Sequence, residues 1–158
     1  MNYEDGPIIG VVVKKLKVVA DERGFLMEMI RSDDKFFEGF GQVYMTTCYP
    51  GIVKAWHYHK LQDDNFCVVK GMARVGLFDN REGSESKGRS MDLVIGENNP
   101  CVVHIPTGVL HGFKAIGNDL CYLINLVKRP YDRETPDEFR VKWNDETIQF
   151  KWKGEVDG

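Results

Sequence analysis

The sequence predicts an all-β domain, a sandwich or barrel, and two observations predict it. Short runs rich in β-branched and aromatic residues recur along the chain, and turn signals such as YPG, DNREG and ENNP fall between them at short intervals. The first run, GVVVKKLKVVA (10–20), is strongly β-branched. FLMEMI (25–30) alternates weakly, with Phe25, Met27 and Met29 set against Leu26, Glu28 and Ile30. GQVYMTTCY (41–49) and IVKAWHYH (52–59) follow. FCVVKGMARVGLF (66–78) is broken at Lys70-Gly71, which reads as a hairpin turn. MDLVI, CVVHI, HGFKAI and CYLINLV complete the strands. Helix is expected only in short pieces, near SDDKFFEGF (32–40) and TPDEF (135–139), and the tail KGEVDG is expected to fray.

At 158 residues the chain suits one domain with a sizeable core. Hydrophobic residues at 42% and charged residues at 28% fit an ordinary soluble protein. The net charge of -3 gives no electrostatic case for a nucleic-acid partner. Apolar runs such as IIGVVV are too short to cross a bilayer, so no membrane partner is expected. MNYEDG lacks the basic start and apolar run of a secretion signal, so a cytoplasmic location is expected. Cys48, Cys67, Cys101 and Cys121 form no C-x-x-C pair and lie in or beside apolar stretches, which argues for buried thiols rather than a zinc site.

Three of the four histidines carry the functional question. In a strand His57 and His59 project to one face. Gly51 is followed by five residues, then His57, Tyr58 and His59; four more lead to Asp64 and six more to Gly71. Pro106, Gly108 and His111 form a P-x-G-x-x-H pattern. Together these resemble the two motifs of the cupin superfamily, a jelly-roll barrel also called a double-stranded β-helix. In its metal-binding members the ligands would fall on His57, His59, Asp64 (where that superfamily has glutamate) and His111. Such a set suits iron, manganese, zinc or nickel. His104 has no motif partner and is expected to be a packed side chain.

A closer resemblance covers almost the whole chain. DERGFLME (21–28), GIVKAWHY (51–58), IPTGVLHGF (105–113), the Tyr131-Asp132 step and KWNDETIQFKW (142–152) occur in the order and spacing of the dTDP-4-dehydrorhamnose 3,5-epimerase family, a cupin branch that works without metal. The resemblance implies one cupin domain over residues 1–158, no cofactor, and a nucleotide-diphosphate sugar as partner. It also implies a homodimer with exchanged N-terminal strands. His57 falls on the catalytic base and Asp145 on the carboxylate that pairs with it. His111 falls on a second active-site histidine, and Lys54 stands where an arginine is usual. Arg23, Glu28 and Gln42 match contacts to the nucleotide sugar, and Tyr131 matches an aromatic beside the nucleotide. Strict alternation would turn Lys54 away from His57, so the match requires a bend or bulge between them. The chemistry implied is removal of a proton beside a ketone, stabilisation of the enolate, and return of a proton on the opposite face.

Two family features are absent from their places. The enolate-stabilising lysine falls on Asp64, and the acid tyrosine falls on Asn125 or Ile124, with Tyr122 nearby. HYHK (57–60) also resembles the histidine pair of sugar-nucleotide 3,4-ketoisomerases, in which His57 and His59 would shuttle protons between neighbouring carbons. The reading is therefore an epimerase acting on a nucleotide-linked 4-keto-6-deoxysugar. The alternatives are a ketoisomerase, a metal-dependent cupin and a non-catalytic sugar-nucleotide binder.

Overall fold

The computed structural model describes residues 2–152 and is built entirely from strands and turns among them. In chain order the strands are β1 (Asn2–Asp5), β2 (Val12–Lys15), β3 (Val18–Asp21), β4 (Gly24–Met27), β5 (Gln42–Cys48), β6 (Val53–Tyr58) and β7 (Asp64–Lys70). They continue with β8 (Met72–Asp79), β9 (Ser90–Gly96), β10 (Cys101–Ile105), β11 (Val109–Ile116), β12 (Cys121–Val127) and β13 (Phe139–Arg140). A six-stranded sheet in the order β1-β2-β10-β7-β12-β5 faces a five-stranded sheet in the order β13-β6-β11-β8-β9. The strand β3 pairs with β4 as a separate hairpin. This is the expected all-β jelly roll. The tail 153–158 lies outside the described residues.

Apolar side chains fill one part of the space between the sheets, with Val13, Val68, Val103 and Leu123 from one side and Val75, Leu77 and Phe113 from the other. Both outer faces are also covered. Phe36, with Met27, Met29 and Ile30 against it, packs beside Val12, Cys67 and Val102 of the six-stranded sheet. Ile148 and Trp152 join Trp56, Phe78 and Leu110 of the five-stranded sheet. Burial on both faces explains why CVVHI and DNFCV are continuous runs rather than alternating ones. All four cysteines are buried free thiols.

Three local expectations are corrected. The Lys70-Gly71 break is not a hairpin, because β7 pairs with β10 and β12 whereas β8 pairs with β9 and β11. Gly71, at φ 72°, carries the chain from one sheet to the other. The run 10–20 is two strands, β2 in the sheet and β3 in the separate hairpin. No helix forms in 32–40 or 135–139. Asp34 is instead drawn into the protein, where Lys14 Nζ lies 2.7 Å from its Oδ2 and Tyr3 donates to its Oδ1. Asp137 holds residues 135–139 against β6's end by accepting from the backbone N–H groups of Lys60 and Leu61. In both segments tertiary partners outweigh a weak local preference.

Candidate active site

Where the apolar packing ends, the sheets enclose a cavity of about 1160 Å³, large enough for a nucleotide sugar. Its walls come from β5 on one sheet and β6 and β11 on the other. Along β5, Gln42, Tyr44 and Thr46 face inward at period two, while Val43 and Met45 point outward and are exposed.

A bulge decides what β6 presents. His57 pairs with His111 and Lys54 with Phe113, so three steps on β6 oppose two on β11. The extra residue brings Lys54 and His57 to the same cavity, as the family match requires. Gly112 makes room for it, since a Cβ there would overlap the Ala55 side chain and stand 2.8 Å from the Lys54 carbonyl oxygen. Lys54 Nζ reaches across to the opposite sheet and donates to Thr46 Oγ1 at 3.0 Å.

Three histidines and one carboxylate form the inner end of the site. Asp64 is 1% exposed. Its Oδ2 lies 3.1 Å from His59 Nε2 and 2.9 Å from His111 Nε2. Its Oδ1 accepts from Asn125 Nδ2 at 2.7 Å. The other ring nitrogens of the two histidines face backbone carbonyls, His59 Nδ1 at Asp137 and His111 Nδ1 at Val109. A carbonyl can only accept, so both Nδ1 atoms carry hydrogen. Burial works against charge on His59, but the hydrogen bond and charge of Asp64 outweigh it and raise its pKa to about 9. Burial likewise works against ionisation of Asp64, yet the neighbouring imidazoles hold it well below the usual carboxylate range. The carboxylate in the place of the family's lysine is therefore not a bare negative charge.

His57 sits apart from this cluster, its ring centroid 6.3 Å from that of His111. Burial, then the charges of His111 and Arg140, lower its pKa to about 4 against the opposing pull of Glu138. At neutral pH it is an unprotonated imidazole facing the cavity.

The remaining candidates divide. Gln42 and Tyr131 line the cavity and are joined, since the Tyr131 N–H donates to Gln42 Oε1 at 2.6 Å. Arg23 is exposed at the tip of the β3–β4 hairpin and pairs with Asp21, and Glu28 is exposed and pairs with Arg31. Neither lines the cavity. Asp145 is spent locally, its Oδ1 accepting from the Thr147 backbone N–H at 2.9 Å and from the Thr147 hydroxyl. It makes no hydrogen bond to His57 among the described residues, which departs from the expected pairing. His104 is buried, stacked on Phe36 and bonded to Asn65, as expected of a packed side chain. Among the described residues only His59, Asp64 and His111 place donor atoms close enough to share a cation, all within 4.8 Å of one another; His57 is not in the group. Sequence reasoning missed Tyr44, Thr46 and Asp137, and named Asn125 only as a place where a tyrosine is lacking. The alternation of Gln42, Tyr44 and Thr46 with Val43 and Met45 was the available signal for the first two.

A jelly-roll barrel whose cavity sets two histidines against a buried carboxylate, with a third histidine lining the same cavity, is a cupin-type protein. The model of the polysaccharide biosynthesis C-terminal domain family matches residues 19–139. The chain is 43% identical to the spore coat polysaccharide biosynthesis protein SpsL of Bacillus subtilis over 148 residues, covering 94% of this chain and 98% of that protein. It is also 43% identical to the probable low-salt glycan biosynthesis epimerase Agl13 of Haloferax volcanii, covering 94% and 96%. A solved dTDP sugar isomerase of Desulfovibrio desulfuricans G20 superposes with a TM-score of 0.87 at 29% identity, covering 98% of this chain and 96% of the other. The chain belongs to the polysaccharide biosynthesis C-terminal domain family, and its fold is that of the dTDP-4-dehydrorhamnose 3,5-epimerases.

Proposed function

We propose that this protein epimerises a nucleotide-linked 4-keto-6-deoxysugar, with His57 removing a proton from the carbon beside the ketone. The observation that carries the reading is an uncharged His57 facing a nucleotide-sugar-sized cavity, in a chain with an epimerase among its 43%-identical relatives. As the proton leaves, negative charge grows on the substrate's carbonyl oxygen. Cations stabilise such an enolate, and their field falls on the same cavity from Lys54 and from the His59 imidazolium. The growing charge also strengthens His57 as a base, because an imidazolium beside an anion is favoured.

Both ring nitrogens of His59 are committed, to Asp64 and to the Asp137 carbonyl. That supports a charge-supplying role for His59 and weighs against a ketoisomerase in which it shuttles protons. A homodimer is part of the same reading. The strand β5 ends its sheet, with Val43 and Met45 exposed on its outer face, and the β3–β4 hairpin exposes Val18, Val19, Phe25 and Leu26. Covering these surfaces with a second copy would remove a free edge and apolar surface together. It would also give Arg23 and Glu28 a cavity to serve, that of the partner.

The test is NMR of a dTDP-linked 4-keto-6-deoxyhexose incubated with the protein in D₂O. Deuterium should enter at C3 or C5, and His57→Asn should slow this by roughly a hundred- to ten-thousand-fold while nucleotide binding persists. Exchange at the unaltered rate in His57→Asn would remove His57 from the role.

A further inference from the structure

Inverting a carbon needs a proton donor on the face opposite the base, and the positions expected for the family's acid tyrosine hold Ile124 and Asn125. Neither side chain supplies that proton at ordinary pH. The structure places a phenol one strand away. Asn125 on β12 is the direct cross-strand partner of Tyr44 on β5, and its Nδ2 donates to the Tyr44 hydroxyl at 2.8 Å.

The direction of that bond is fixed. The backbone N–H of Asn65 donates to Asn125 Oδ1 at 2.8 Å, so the other end of the amide is the NH₂ group. That NH₂ serves both Asp64 Oδ1 and the Tyr44 oxygen. Tyr44 therefore accepts from Asn125, and its own O–H proton has no acceptor among the described residues. The ring lines the cavity from the six-stranded sheet, while His57 lines it from the five-stranded sheet. The two groups approach a bound sugar from opposite walls.

We propose that Tyr44 is the proton donor of this enzyme, taking over from the neighbouring strand the role of the tyrosine absent at positions 124 and 125. The assignment rests on the epimerase reading. Burial, then the charge of Asp64, raise the Tyr44 pKa to about 12, which keeps the proton in place until an enolate arrives. In the first step the C–H bond beside the ketone breaks, its proton passes to the His57 imidazole, and the electron pair enters the enolate. In the second the Tyr44 O–H bond breaks and a new C–H bond forms on the opposite face, leaving Tyr44 as phenolate. Solvent then returns a proton to Tyr44 and takes one from His57, so the cycle consumes no other reagent. Lys54, bonded to Thr46 two residues along the same face of β5, supplies a cation on the wall where the phenolate forms.

The experiment separates proton removal from inversion. Unaltered protein, Tyr44→Phe and His57→Asn are each incubated with a dTDP-linked 4-keto-6-deoxyhexose in D₂O. NMR follows both deuterium entry and the inverted epimer, and calorimetry follows dTDP binding as a check on the pocket. Tyr44→Phe should bind dTDP as before and still exchange deuterium with configuration retained. It should form the inverted epimer at least about a hundred-fold more slowly. Inverted product at the unaltered rate overturns the assignment. So does an equal loss of exchange and inversion, which would make Tyr44 a support for the Asn125–Asp64 array rather than a donor. Absence of both exchange and epimer in the unaltered protein overturns the epimerase reading itself, and the assignment with it.

Discussion

Asp64 Oδ2 stands 3.1 Å from His59 Nε2, inside the barrel and almost out of reach of water. This pairing makes stability depend on pH in a defined direction. The pKa of His59 is raised from 6.5 to about 9 in the folded protein. Its contribution is complete below about pH 6.5 and is lost as pH rises through about 9. His57 works on the other side, since its folded pKa is lowered to about 4. Below about pH 6.5 the unfolded chain takes up a proton that the folded chain refuses until about pH 4, so stability falls as pH drops through that window. Melting temperatures between pH 4.5 and 9.5 should peak near pH 6.5. His59→Gln should flatten the alkaline limb and leave the acid limb in place; an unchanged alkaline limb would show that the pair does not set it.

Asp145 should be dispensable for chemistry. Its carboxylate closes a turn with Thr147. Asp145→Asn should leave deuterium exchange into the sugar at the unaltered rate and lower the melting temperature slightly. A large drop in exchange would restore it as the partner of His57.

The protein purified without an affinity tag or chelator should carry no stoichiometric transition metal. His59, Asp64 and His111 have the spacing for one, but a metal there would have to displace the proton that Asp64 favours on His59. Elemental analysis decides this. One equivalent of iron, manganese, zinc or nickel, lost in Asp64→Asn, would replace the proton by an ion.

Light scattering after size-exclusion chromatography should give a dimer. Phe25 is 69% exposed and Leu26 62% exposed in the single chain, so Phe25→Ser with Leu26→Ser should shift the species toward monomer and weaken nucleotide-sugar binding. A monomeric unaltered protein with full affinity would exclude a shared cavity.

Gly112→Ala should damage the site through the backbone. The new methyl group would press on Ala55 and on the Lys54 carbonyl, where β6 makes its bulge. Overpacking of this kind costs about 1–3 kcal/mol. Denaturant unfolding should report that loss, and exchange into the sugar should fall with it because Lys54 and His57 can no longer share one face. Wild-type stability would mean that the bulge absorbs the methyl group.

The sequence by itself determined the strands, the jelly-roll class and the family. Period-two alternation put His57 and His59 on one face, and the resemblance to the cupins implied that His111 shares their interior. The family match also required a bend or bulge between Lys54 and His57, and the register of β6 against β11 makes it a bulge. What the sequence could not decide was pairing over long distances. Lys70-Gly71 has the composition of a hairpin, yet its two strands find partners in different sheets, because pairing is settled by burial on both faces rather than by the turn. Asp64 was legible as a carboxylate misplaced beside an enolate, but its contact with His59 and His111 depends on three strands meeting. Tyr44 and Asn125 lie 81 residues apart. Only the register of β5 against β12 puts a phenol beside the amide that stands at one of its two expected places, and register is a property of the folded sheet.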